Sequence, residues 1–171
     1  NPGEGAYLFI FYVFLGHLAR VFCTPLILMF HLVRLGGTLA LLFELYQFMA
    51  VQFVEANSRR LAFTLVALGS GVGWAALLFG KLTSDFWVAE SYPFLSSYAN
   101  PHFPFSLAIM IWLLIPKISG KAYTRKREIK EIIAACLLSI MSPFGIVLVG
   151  LIEAGLFLWK WIIVPHRPLK Q

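Results

Sequence analysis

Charged residues are scarce in this chain, and their scarcity excludes an ordinary soluble domain. They make up 13% of the 171 residues, and hydrophobic residues make up 60%, whereas soluble domains carry about 25% charged residues. So large an apolar fraction requires lipid as its solvent, and several apolar runs reach the roughly 20 residues that span a bilayer. The alternating pattern of transmembrane β-strands is absent as well. We therefore predict an all-α, polytopic bundle of transmembrane helices.

Metal and nucleophile motifs are also missing. The two cysteines, Cys23 and Cys136, lie in apolar surroundings, so neither a disulfide nor a metal site is expected. No HExxH, GxSxG or paired CxxC occurs. Gly69 and Gly73 form a GxxxG pattern, which is typical of close helix packing in membranes. The sequence therefore predicts no metal-binding residues and no cofactor. It leaves open whether the activity of the protein depends on a divalent metal ion.

The start of the chain lacks both an initiating Met and the pattern of a secretory signal. Asn1 comes first, and Glu4 stands where a signal peptide would carry positive charge. We expect a piece of a longer protein, so that the remainder of the same polypeptide lies upstream and downstream.

The apolar runs predict about five spans in a single transmembrane domain over residues 1–171, plus an N-terminal interfacial or short helix. The last run, Ile132 to Val164, is too long for one untilted crossing of a core of roughly 30 Å. Ser142-Pro143-Phe144-Gly145 interrupts it, and we expect a helical hairpin with its apex there. The predicted helices cover residues 5–22, 25–53, 61–79, 94–115, 126–142 and 144–164.

Basic residues cluster at the ends of the predicted spans. The formal net charge is +6, which membrane orientation explains better than nucleic-acid binding. Because basic segments stay in the cytoplasm, loops 55–60 and 117–130 are predicted there, together with Arg167 and Lys170. Loop 80–102 then lies on the extracytoplasmic side of a multi-pass protein of the plasma membrane.

The predicted outer loop combines aromatic side chains with four polar candidates, Asp85, Glu90, Asn100 and His102. Together they favour a polar pocket with stacking surfaces, as a sugar site requires; an aromatic belt with solvated charges is the alternative. Asp85 and Glu90 are candidates for a catalytic base or a cation ligand. His102 is a candidate phosphate ligand or, alternatively, a helix cap.

Two charged side chains occur inside the predicted span 25–53. Arg34 and Glu44 are ten residues apart and do not pair with each other, whereas His31 and Arg34 are three apart and share a helix face. An ionisable group at this depth by default marks a site or a pathway. Arg34 lies in the outer half of the span, where it either contacts an anionic lipid phosphate or extends to the headgroups.

Several motifs follow one another in a particular order along the chain. They are the turn Asn1-Pro2-Gly3 with an aromatic helix ending at Leu18-Ala19-Arg20, the Arg-Leu motif in Val33-Arg34-Leu35-Gly36, the basic pair Arg59-Arg60, the acidic outer loop with Glu90 or Asp85, and the hairpin turn Ser142-Pro143-Phe144-Gly145. This order resembles the GT-C superfamily of membrane glycosyltransferases, in the branch of bacterial protein O-mannosyltransferases and aminoarabinose transferases.

The resemblance implies a reaction and a set of roles. A polyprenyl-phosphate sugar enters from the outer leaflet, and a carboxylate deprotonates an acceptor hydroxyl that attacks the anomeric carbon. The implied substrate-binding residues are Arg34, His31, Asn100 and His102, and the catalytic candidates are Glu90 and Asp85. The family's first-loop catalytic Asp would lie upstream of Asn1, and Ala89-Glu90-Ser91 only loosely replaces its later Arg-x-Asp pattern.

Two other classes of function stay open at this level. In a transporter or channel, Arg34 and Glu44 would line the pathway, although no pair of broken helices occurs in corresponding halves. In a non-catalytic membrane subunit, the face with Gly69 and Gly73 would pack against a partner.

Overall fold

The computed structural model describes residues 10–69, 76, 78–81, 83, 88, 92–120 and 124–163. The regular elements over these residues are all helices, which confirms the all-α fold class. In chain order they are α1 (Ile10–Val21), α2 (Leu26–Gln52), α3 (Ala56–Leu68), α4 (Pro93–Tyr98), α5 (His102–Ser119), α6 (Arg125–Met141) and α7 (Pro143–Ile163).

Three of these helices are long and apolar enough to cross a membrane: α2, α5 and residues Pro143–Ile162 of α7. Their length and composition support a membrane protein. The predicted count of about five spans is not confirmed over the described residues. For α1, with 12 residues, and α3, with 13, the physical reason is length, since each extends about 18 to 20 Å against a hydrocarbon core of roughly 30 Å. Helix α6 has 17 residues, and charged side chains crowd its first two turns.

Helix α3 differs from its predicted range at both ends. It begins at Ala56, so the polar segment 55–60 forms its first turns, where Ser58 Oγ donates to Glu55 Oε2 at 3.0 Å. It ends at Leu68, because Gly69 is extended (φ −68°, ψ 125°). The predicted helix 61–79 is therefore interrupted, and Leu78, Phe79 and Gly80 form a turn. Gly69 closes a helix instead of packing within one; Gly73 lies outside the described residues.

The helix predicted over 94–115 is in fact two helices, α4 and α5. They are separated at Ala99–Pro101. Ala99 has a non-helical ψ of −99°, and Pro101 disfavours helical geometry in Asn100, the residue before it. Helix α5 then continues through Pro116 to Ser119 and ends at Gly120, whose left-handed φ of 64° suits glycine. The segment 117–130 is accordingly helical at both of its ends.

Helices α2 and α5 form the centre of the bundle and run parallel. Pro104 and Phe105 of α5 pack on Gly37 of α2, and farther along both helices Ala108 packs with Leu41 and Leu45. The approach is close, since a Cβ at Gly37 would lie 2.8 Å from Phe105 Cδ2. A parallel course for these two helices agrees with the predicted topology, in which both cross the membrane in the same direction.

Helices α6 and α7 form a hairpin against α5. The turn is at Ser142, in the predicted apex, where Gly145 N donates to Ser142 Oγ at 3.1 Å. Leu138 of α6 and Val149 of α7 pack on Leu113 of α5 as a buried cluster. The hairpin therefore turns at the end of the bundle where α5 begins, and its open end lies beside the end of α5.

Candidate functional site

The two ends of the bundle differ in chemistry. We call one the His102 end: it contains the starts of α2 and α5 and the α6–α7 turn. We call the other the Lys117 end: it contains the last turns of α2 and α5 and the start of α6. Four of the residues proposed from sequence as substrate ligands, His31, Arg34, Asn100 and His102, belong to the helices and turns of the His102 end.

Tyr12 and His102 connect α1 to the start of α5. Tyr12 Oη and His102 Nδ1 are 2.8 Å apart and share a hydrogen bond whose donor depends on the imidazole tautomer. The His102 ring also lies 4.0 Å from that of Phe103 and 6.2 Å from that of Phe11, between ring centroids. In α1, which is not among the three candidate spans, burial raises the pKa of the Tyr12 phenol above its ordinary value. Tyr12 is therefore a neutral hydroxyl at physiological pH.

A chain of ring contacts links His102 to His31. The Tyr12 ring stacks on Phe30 with 6.4 Å between centroids, and the Phe30 ring meets His31 edge to face at 5.6 Å. His31 itself is exposed. The structure thus brings both histidines to one aromatic cluster without placing them in direct contact.

Arg34 is directed at helix α4. Its Nη1 donates to the carbonyl oxygen of Tyr98 at 2.9 Å, and Cζ lies 5.8 Å from the centre of the Tyr98 ring. Tyr98 is the last residue of α4, where carbonyls lack intrahelical donors and a cation interacts favourably with the helix dipole. Thr38 Oγ1 adds a weaker contact to Ser97 O at 3.4 Å. No described carboxylate lies within 4.0 Å of the Arg34 guanidinium.

Three predicted site residues remain: Asn100, Asp85 and Glu90. Asn100 is exposed in the break between α4 and α5, two residues after Tyr98, and its carbonyl accepts from Phe103 N at 3.1 Å. It therefore lies next to the start of α5, and no described contact joins it to Arg34. Asp85 and Glu90, the catalytic candidates, lie outside the described residues.

An aromatic cavity of about 200 Å³ opens at the His102 end, between α1, the start of α5 and the α6–α7 turn. A second, more apolar cavity of about 330 Å³ lies between α5 and α7. Both are lined by Phe103, Ser142 and Phe144, so a polar mouth and an apolar groove adjoin. Tyr12 and Phe144 contribute to this region, and sequence reasoning had not selected them. No sequence signal identifies them, because their partners are distant in the chain.

The Lys117 end carries a network of charges across three helices. Lys117 Nζ lies 3.7 Å from Glu131 Oε2 and 3.6 Å from Glu153 Oε1. Arg127 Nε donates to Glu131 Oε1 at 3.0 Å. Glu44, the acidic residue inside α2, lines an open cavity of about 220 Å³ together with Trp112 of α5 and Ala134 of α6. Within the described part of the chain, no cluster of three or more His, Cys, Asp or Glu is arranged to hold a metal ion.

Comparisons of this chain with protein-family models, with curated proteins and with solved structures found no match.

Proposed function

We propose that this chain is part of a membrane glycosyltransferase of the GT-C type, and that its His102 end receives the phosphate of a polyprenyl-phosphate sugar. The proposal includes a plasma-membrane protein of about five spans, with segments 55–60 and 117–130 in the cytoplasm and loop 80–102 outside. The observation that carries it is Arg34, a cation within an apolar span that has no carboxylate partner among the described residues.

The depth of Arg34 supports an anionic ligand from the lipid phase. Helix α2 has 27 residues and is about 40 Å long, which exceeds a core of roughly 30 Å. Arg34 follows the start of α2 by eight residues, or about 12 Å, and its partner Tyr98 is the last residue of α4, so Arg34 lies in the outer part of this apolar span. A cation at that depth is costly without an anion, and a guanidinium offers several N–H donors that suit a phosphate.

The adjoining cavities support a donor with a polar head and an apolar chain. The aromatic mouth offers Phe11, Phe103 and Phe144 as stacking surfaces beside the Tyr12–His102 pair. The second cavity is mostly apolar, as the isoprenoid chain of such a donor requires. The proposed donor therefore matches the order of polar and apolar surface beside His102; Arg34 lines neither cavity.

The proposed reaction transfers the sugar to an acceptor hydroxyl. A carboxylate removes the hydroxyl proton, the acceptor oxygen bonds to the anomeric carbon, and the bond from that carbon to the phosphate oxygen breaks. The lipid phosphate leaves with the bonding electrons, and Arg34 and His102 stabilise its charge. Glu90 and Asp85 are proposed as the carboxylates that orient the sugar or acceptor, and no cofactor is required by this scheme.

The test uses the full-length protein in membranes, with a polyprenyl-phosphate carrying a radiolabelled sugar as donor. We expect Arg34→Ala and Glu90→Ala to abolish transfer while the protein still inserts, and Arg34→Lys to retain part of it. Thr38→Val is the matched control, because it weakens the contact of α2 with α4 and leaves the cation in place. Full turnover in Arg34→Ala, or an equal loss in Thr38→Val, would overturn the proposed role of Arg34.

Glu44 favours a second candidate function, ion or solute transport. It is an acidic side chain within a candidate span that lines an open cavity together with α5 and α6, and such groups mark transport pathways. Purified full-length protein in liposomes should then move a cation, and Glu44→Gln should reduce the flux. Absence of flux in protein that transfers sugar would exclude this candidate.

A further inference from the structure

The basic residues at the Lys117 end fall into two groups. Lys117 and Arg127 point inward, where they form ion pairs with Glu131. Lys126 and Lys130 are exposed on α6, and no described carboxylate lies within 4.0 Å of either ammonium group. Membrane orientation alone accounts for the presence of basic residues here, but it does not account for this separation.

Lys126 and Lys130 share one face of α6. They are four residues apart, which places them about 40° apart around the helix and about 6 Å apart along it. Two like charges in this arrangement destabilise a helix unless an anion lies between them. Lys126 also lies in the first turn of α6, where the helix dipole adds positive potential. The pair is therefore suited to a single anionic group.

Apolar side chains continue the same face. Ile133 and Leu137 lie within about 60° of the lysines around the helix, and they are 55% and 50% exposed. This face is on the opposite side of α6 from the cavity between α6 and α7, which is lined by Glu131, Ile132 and Ala135. The result is a stripe along α6 that begins with two cations and continues with exposed apolar side chains.

We propose that this α6 stripe, Lys126, Lys130, Ile133 and Leu137, binds an anionic phospholipid. The two lysines contact the headgroup phosphate, and an acyl chain lies along Ile133 and Leu137 in the direction of the hairpin turn. A lipid is the occupant that fits, because the change from charge to hydrocarbon along one helix face matches the order of a phospholipid molecule. The site is independent of the proposed transfer reaction, since it lies at the opposite end of the bundle from Arg34.

The test compares two charge-matched double variants of the full-length protein, delipidated in an uncharged detergent. Lys126→Gln with Lys130→Gln removes two charges from the stripe. Arg60→Gln with Arg125→Gln removes two exposed charges at the same end of the bundle but outside the stripe. Arg125 is about 100° from Lys126 around α6. Phosphatidylglycerol is added, retained lipid is counted by native mass spectrometry, and phosphatidylcholine serves as the neutral lipid.

We expect phosphatidylglycerol affinity to fall about 30-fold in the lysine double variant, from the attraction typical of two surface lysines, and to stay within about threefold in the arginine double variant. Salt should release the lipid from the wild-type protein. Equal losses in the two double variants, or no preference for phosphatidylglycerol over phosphatidylcholine, would overturn the proposal. If the lysine double variant does not fold, Lys130→Gln against Arg125→Gln gives the same comparison with one charge each.

Discussion

Arg127 of α6 donates a hydrogen bond from Nη2 to the carbonyl oxygen of Trp112 in α5, at a distance of 3.0 Å. In a regular helix that carbonyl accepts from the amide four residues later, but residue 116 is proline and has no N–H. The Arg127 guanidinium also lies over the Trp112 ring, with Cζ 3.6 Å from its centre. Arg127 therefore supplies the donor that Pro116 lacks, which explains how α5 continues through the proline to Ser119.

This relationship predicts coupling between Arg127 and Pro116. Arg127→Gln should cost about 1–3 kcal/mol of unfolding free energy, because it leaves the Trp112 carbonyl without its donor. In a Pro116→Ala background residue 116 has an N–H of its own, so the cost should fall by about 1 kcal/mol. Unfolding of the four proteins in mixed micelles measures the difference. Arg125→Gln, at an exposed position two residues away, is the control and should change stability by less than about 0.5 kcal/mol. Additive effects would contradict the coupling.

The close contact of α2 with α5 predicts different tolerances at two adjacent glycines. Gly37→Ala places a Cβ 2.8 Å from Phe105 Cδ2, so we expect a loss of about 1–3 kcal/mol from overpacking. Gly36→Ala places its Cβ 3.8 Å from Phe105 Cζ, an ordinary contact, and should be neutral or gain up to about 1 kcal/mol from helix propensity. Thermal unfolding of both variants measures this, and equal effects would show that the helices do not approach at Gly37.

Helix α1 should release from the bundle at alkaline pH. Burial raises the pKa of the Tyr12 phenol, so its contribution to stability is complete below the ordinary tyrosine pKa of about 10 and is lost as pH rises through the higher value of the folded protein. Tyr12→Phe should lose about 1 kcal/mol at neutral pH, with the hydrogen bond to His102, and show a weaker alkaline decline.

Phenolate absorbance and thermal unfolding between neutral and alkaline pH measure this dependence. Tyr46→Phe is the control for a tyrosine elsewhere in the bundle and should keep the wild-type decline. An unchanged decline in Tyr12→Phe would exclude Tyr12 as its source.

The two glutamates that pair with Lys117 should differ in importance. Glu131 has a side chain only 12% exposed and also accepts from Arg127, whereas that of Glu153 is 41% exposed. Glu131→Gln should therefore cost about 3 kcal/mol, as expected when one partner of a buried charge network is removed. Glu153→Gln should cost at most about 1 kcal/mol. Chemical unfolding of the two variants compares them directly, and a larger loss in Glu153→Gln would contradict this ranking.

Local pattern accounts for where the helices form, and it fails where a distant residue intervenes. The run 25–53 corresponds closely to α2, Leu26–Gln52, because a long apolar sequence has few other stable forms in lipid. The predicted helix 94–115 stops before Pro116, as the local preferences of proline favour. These preferences are overridden by Arg127, whose position next to Trp112 no local pattern reveals.

The candidate site shows the same division. His31 and Arg34 were predicted to share a face of one helix, which helix geometry alone establishes. The partner of His102 is Tyr12, 90 residues away in the chain, and that of Arg34 is the end of α4, 64 residues away. Neither contact follows from composition or spacing, because each depends on which helices pack together.

The amino-acid sequence by itself determined the solvent and the class of this protein. Its scarcity of charge and its long apolar runs require helices in lipid, because every backbone N–H and C=O group there must be hydrogen-bonded within the protein. The tertiary structure alone decided which cations are paired and which are exposed. Arg127 and Lys117 turn inward and Lys126 and Lys130 outward. The physical reason is that burial and pairing depend on the packing of α5, α6 and α7, whereas hydropathy is a property of each segment alone.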